Sequence, residues 1–135
     1  MSGAGDAIRA KLVATSAVTT LVSTRVYVGL AAKDAALPHI VFTQVSGPRV
    51  DDLDGPEGLA HPRMQVTSWD DGFAGVQTLA DLVRTTLDGS RGSWGGVTVA
   101  DCILEDERHV LSAQPGAAAA RKRGIQQDYI VWHTE

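Results

Sequence analysis

The sequence is short of the materials from which many kinds of protein are built. A single cysteine, Cys102, stands in 135 residues, which excludes an intramolecular disulfide and any cysteine-rich zinc site. Aromatic residues make up 5% of the chain while alanine occurs 18 times, so much of the 44% hydrophobic content is small side chains that each bury little area. A core made from them is thin, and association between copies is an expected source of further stability. No apolar run approaches the ~20 residues that a membrane helix needs. Residues 1–6 lack the basic and apolar regions of a signal peptide, so a reducing cytoplasm is the expected setting. Basic charge is in deficit too. Twelve Lys+Arg against 16 Asp+Glu leave a formal charge of -4, the reverse of a protein whose task is gripping phosphate backbones.

What is present fits one domain over residues 1–135. Ile8 and Leu12, one turn apart behind Asp6 as a cap, predict a helix over 6–13; Thr15-Ser16 offer a cap for a second short helix over 17–22. Residues 26–28 read as a short strand. Pro38 opens a strand over 39–46, rich in β-branched and aromatic residues, and Pro62 opens another over 63–69. Between them, residues 50–61 read as a long acidic connection holding Asp51, Asp52, Asp54 and Glu57. Phe73, Val76, Ala80, Val83 and Leu87 fall on one helical face behind Asp70-Asp71, with Gly89 after the last turn. A glycine-rich turn around Trp94 leads to a strand over 97–104, prolonged by the polar residues 105–108. Residues 112–123 read as a small-residue loop ending in Arg121-Lys122-Arg123, and 125–133 as a closing strand. Helices and strands do not alternate regularly. The expected fold is α+β, a mostly antiparallel sheet of about four strands with two or three helices on one face.

No reaction chemistry is legible. His39, His61, His109 and His133 show no pair at a helical spacing of three or four, so no local metal site forms. Asp70-Asp71 reads as a helix cap rather than an acid/base pair. The glycine-rich stretch 89–96 runs from helix into strand and lacks the Gly-Lys-Ser/Thr of a phosphate loop. Asp101 and Glu105 beside Cys102 disfavour a reactive thiolate, and no serine stands in a Gly-x-Ser-x-Gly elbow. Neither a cofactor nor enzymatic activity is expected. The one basic cluster, Arg121, Lys122 and Arg123, has no interleaved aromatics for stacking bases. It reads either as a solvated loop edge or as an electrostatic match for Asp51, Asp52, Asp54 and Glu57 of a neighbouring copy, which would suit a head-to-tail ring.

The sequence resembles a known family. Arg25-Val26-Tyr27, then 36–42 (Ala-Leu-Pro-His-Ile-Val-Phe) and Val45-Ser46-Gly47, are similar to the small tail-completion proteins of long-tailed bacteriophages and gene-transfer particles. The likeness continues through Leu53-Asp54-Gly55-Pro56, Gly58-Leu59-Ala60, Arg63, Gln65-Val66, residues 79–84, Leu87-Asp88-Gly89, Gly95-Gly96-Val97 and Val131-Trp132. It departs at Val28, where a proline is more usual, at His39, where an aromatic is, and in the alanine run 117–120. The resemblance implies a non-catalytic virion assembly protein, present in the host cytoplasm during assembly and then in the tail. It implies a ring, commonly of six copies, that caps the head-proximal end of the tail tube and stops its growth. The implied partners are further copies, the tail tube protein, and the head connector, with DNA passing through the lumen unbound. A head–tail adaptor or a tail-tube-like subunit is the alternative role. A small hydrolase or metal enzyme using His61, Asp54 or His109 is the more distant one.

Overall fold

The β-branched runs and the two proline-led strands build one framework. The computed structural model describes residues 3–29, 36–47, 49–52, 55–114 and 117–134; of residues 49–52, 55–59, 111–114 and 117–122 it describes the backbone alone. Helices α1 (Ala4–Val13) and α2 (Ser16–Val22) lead into strand β1 (Val26–Val28). Strands β2 (His39–Ser46), β3 (Arg49–Asp52), β4 (Gly55–Ala60) and β5 (Arg63–Asp70) precede helix α3 (Phe73–Leu87), and β6 (Gly92–Trp94), β7 (Val97–Gln114) and β8 (Ala117–Thr134) follow it. The strands form one mixed eight-stranded sheet, twice the expected number. Every pairing is antiparallel except β1 with β2.

The segment read as an acidic connection supplies β3 and β4, the stretch read as a glycine-rich turn supplies β6, and the segment read as a small-residue loop lengthens β7 and β8. β2 and β3 form one arm of a long hairpin and β4 and β5 the other. Ala60 pairs with His133 and Arg63 with Ile130, so β4 and β5 keep one register along β8 across their interruption. Pro62 causes that interruption, because it has no N–H for the ladder; its carbonyl still accepts the Val131 N–H at 3.1 Å. The segment 112–123 is likewise the outer part of a second hairpin, β7–β8, paired as far as Gln114 with Ala117. Composition misled here. Acidic or alanine-rich stretches have weak strand propensity, but a partner arm in register supplies the backbone bonds that propensity does not.

The three helices cover one face of the sheet. α3 lays Val76, Leu79, Ala80, Val83 and Leu87 against it, all buried. Fully burying each of the larger ones contributes roughly 1.5–3 kcal/mol. Phe73, expected on the same stripe, is 56% exposed; it heads the first turn, where its ring stacks on the exposed His109 of β7 instead of being enclosed. The caps also differ. Gly72 is the N-cap of α3, with Asp70 accepting the Asp71 N–H at 2.8 Å rather than a helical one. Gly3, not Asp6, precedes α1.

The core joins Ile8 and Leu12 of α1 and Val18 and Val22 of α2 to Ile40, Phe42, Met64, Val66, Tyr129 and Val131 of the sheet. α1 also rests on the β6–β7 turn. There Gly95 has φ +59, and a Cβ would come 2.6 Å from the Cβ of Ala10, so glycine serves both the turn and the close approach. Trp94 beside it is buried, with Lys11 Nζ 5.7 Å from its ring centroid.

Candidate functional site

The titratable side chains do not converge on a reaction centre. Among the described residues, no three His, Cys, Asp or Glu could together hold a metal ion. His61 stacks on Trp132 with centroids 4.3 Å apart, and His109 on Phe73 at 5.5 Å. His39 is buried, its Nδ1 3.1 Å from the Ala36 carbonyl, and His133 Nδ1 lies 2.9 Å from the Thr134 carbonyl. Each ring is used locally. Cys102 is fully buried, and burial first, then the carboxylates of Asp88 and Asp101, push its thiol up to about 12. Such a thiol is protonated and unreactive at neutral pH. Burial, with Cys102, Asp88 and Glu107 behind it, pushes the Tyr129 hydroxyl up as well.

Polar groups are instead spent on holding the sheet. On the helix side, Gln127 Nε2 donates to the Ala80 carbonyl (3.1 Å) and to Glu107 (2.7 Å), and its Oε1 accepts from Tyr129 (3.2 Å). These bonds tie α3, β7 and β8 together. On the opposite face, which no described helix covers, Asp128 is buried between Arg63 (3.0 Å) and Arg108 (3.4 Å). Arg108 also reaches Asp106 at 2.7 Å. Asp128 Oδ1 has no hydrogen-bond partner. This cluster clamps β5, β8 and β7 across their outer side. Removing one arginine leaves a buried carboxylate with less compensation.

The distinctive geometry lies in the hairpins. Along β8, Leu59 pairs with Thr134, so β3 and the rest of β4 continue past that end of the strand. At the other end Asp70 pairs with Arg123, and β7–β8 continues beyond it without a third strand. The two hairpins therefore project from opposite ends of one sheet. At ~3.3 Å per residue, the first extends ~13 Å beyond Leu59 and the second ~10 Å beyond Leu111.

The charge candidates divide between them. Asp51 and Asp52 lie on β3 and Glu57 on β4, while Asp54 lies outside the described residues. Arg121, Lys122 and Arg123 lie on β8, with Arg123 exposed at the root of the second hairpin. Residues 49–59 hold four acidic residues and one arginine; residues 111–123 hold three basic residues and no acidic one. Within one chain the two sets are thus held apart, at opposite ends. What sequence reasoning missed is the paired backbone beneath these charges. The tip sequences Leu53-Asp54-Gly55 and Gln114-Pro115-Gly116 carried the available signal, since glycine beside Asp or Pro between two runs marks a turn.

The family model described as tail completion protein gp17 matches residues 6–133. Among solved structures, a chain from the virion of a native gene transfer agent particle shares the fold. The two superpose with a TM-score of 0.76 at 17% identity, over 98% of this chain and 95% of the other. No curated protein matches by sequence.

Proposed function

The chain belongs to the tail completion protein gp17 family of structural virion proteins, and from that premise we propose that it completes the tail as a closed ring of copies. The ring caps the head-proximal end of the tail tube, ends tube polymerisation and offers its other side to the head connector. Six copies is the number the resemblance implies. One observation carries this reading: oppositely charged hairpins project from opposite ends of a single sheet. A surface at one end that complements a surface at the other makes a head-to-tail contact, and such a contact closes into a ring when its rotation divides a full turn. Asp51, Asp52, Asp54 and Glu57 of one copy then lie toward Arg121, Lys122 and Arg123 of the next. The shared fold with a chain of a gene transfer agent virion supports a place in a particle of that kind. The acidic net charge suits a lumen through which DNA passes without being held.

The test is light scattering on the purified protein, followed by particle imaging with growing tail tubes. Single rings seated on tube ends, with tube length fixed from then on, are expected. Filaments formed by the protein alone identify a tube-like subunit, and binding to capsids with no effect on tubes identifies an adaptor. Either result overturns the terminator role.

A further inference from the structure

The same sheet leaves two stretches of strand edge unpaired, and their positions match. On one side, β1 covers β2 only as far as Phe42, whose carbonyl accepts the Gly29 N–H at 2.8 Å. Beyond it no described strand pairs the outer edge of residues 44–47 and 49–52. Val45 there is 54% exposed. On the other side, β6 covers β7 only at Val97–Val99. The next outward groups are filled locally. The Cys102 carbonyl accepts from Gly89, and the N–H groups of Cys102, Leu104 and Glu107 donate to Asp101, Asp88 and Asp106. From residue 108 to 114 no described strand lies on that edge. Alternation from Glu107 turns the amides of His109 and Leu111 outward.

The two open edges sit at diagonal corners. One runs up the acidic hairpin, the other down the basic hairpin. β2–β3 and β7 run antiparallel to each other within the sheet order. A second copy in the same orientation, displaced along the diagonal, thus brings its β7 edge antiparallel against β2–β3 of the first. The same displacement sets its basic hairpin beside the first copy's acidic one. Open edges of this kind are otherwise templates for indiscriminate pairing.

Resting on the ring reading above, we propose that neighbouring copies join by strand addition, residues 44–47 and 49–52 of one against residues 108–114 of the next. The sheet then continues from copy to copy, and main-chain bonds supply the contact while the hairpin charges fix its register. The occupant of each edge is another copy of this chain.

The experiment compares the wild type, His109→Pro and His109→Ala by light scattering over a concentration series. Both variants lose the stacking on Phe73, but only proline loses the outward N–H. His109→Pro is expected to keep the monomer's far-ultraviolet circular dichroism and to raise the concentration for assembly by at least about tenfold. His109→Ala is expected to assemble near the wild-type concentration. Equal assembly by wild type and the proline variant overturns the edge pairing and leaves the ring reading standing. A wild type that never assembles, alone or on tubes, overturns both. Cysteine pairs give a second reading: Val45→Cys with Gln114→Cys in one chain, which the antiparallel register sets opposite each other, is expected to oxidise into a ladder of covalent oligomers. Either single variant is expected to give none, because Cys102 is buried. Covalent dimers from a single variant mean that like edges meet, which also overturns the proposal.

Discussion

At the scale of single residues, the structure rests on a few positions where size is fixed. Gly124 is the clearest. It pairs with Trp69 on one side and Val110 on the other. A Cβ there would lie 2.8 Å from Cε3 and Cζ3 of Trp69 and from Cγ2 of Val110. Gly124→Ala is therefore expected to destabilise the monomer by about 1–3 kcal/mol in denaturant unfolding, through displacement of the tryptophan ring. Cys102 gives a second prediction. The native thiol is expected to resist alkylation at pH 8 and to react at once on unfolding. Its raised value also sets a pH slope. Above about pH 9 the unfolded thiol loses its proton while the folded one keeps it until about 12. The unfolded state then binds fewer protons, so stability falls as pH rises through that window. Cys102→Ala is expected to make the slope shallower between pH 9 and 10 without abolishing it, because Tyr129 is also pushed up in the fold and an unfolded tyrosine, with an ordinary value near 10, contributes in the same direction.

At the scale of elements, legibility followed hydrophobic pattern. Both amphipathic segments before Val26 are helices, and the stripe of α3 is buried from Val76 to Leu87. The strands β2 and β5 and the inner part of β8 were equally plain, because a half-buried strand alternates. The outer hairpin arms were not. The sequences of 49–59 and 111–122 carry no apolar alternation, and the described strand structure there is paired along its partner arm. Phe73 failed for the opposite reason: it fits the helical period, but its neighbour on the sheet is the exposed His109, so its ring stays 56% exposed. The interface candidates were legible as charge and illegible as geometry, since nothing in Asp51 or Arg121 reveals that their hairpins point apart. Reversing the charge there gives a prediction of the same scale. Arg121→Glu, Lys122→Glu and Arg123→Glu together are expected to weaken assembly, most at low salt and less as screening shortens the range of the charges, followed by light scattering between 20 and 500 mM salt, roughly spanning Debye lengths from ~20 Å to under 5 Å. Unchanged assembly at low salt removes the electrostatic role.

At the scale of the whole molecule, a core drawn mostly from valine, leucine and isoleucine supports a sheet whose outer edges are partly left open by the described strands. Association stabilises a fold by mass action, so the thermal midpoint of the wild type is expected to rise with protein concentration, while that of His109→Pro stays constant. A concentration-independent wild-type midpoint would separate folding from assembly. The position of β8 has a different consequence, one for biosynthesis. It pairs with β5, β4 and β7 and carries Ile125, Tyr129 and Val131 into the interior, yet it follows all of those partners in sequence. During translation the two halves of the sheet must wait, each with a bare flank, until the strand that unites them leaves the ribosome. Nascent chains stalled before Gly124 are accordingly the species most in need of chaperone cover, because exposed flanks and incomplete interiors invite aggregation.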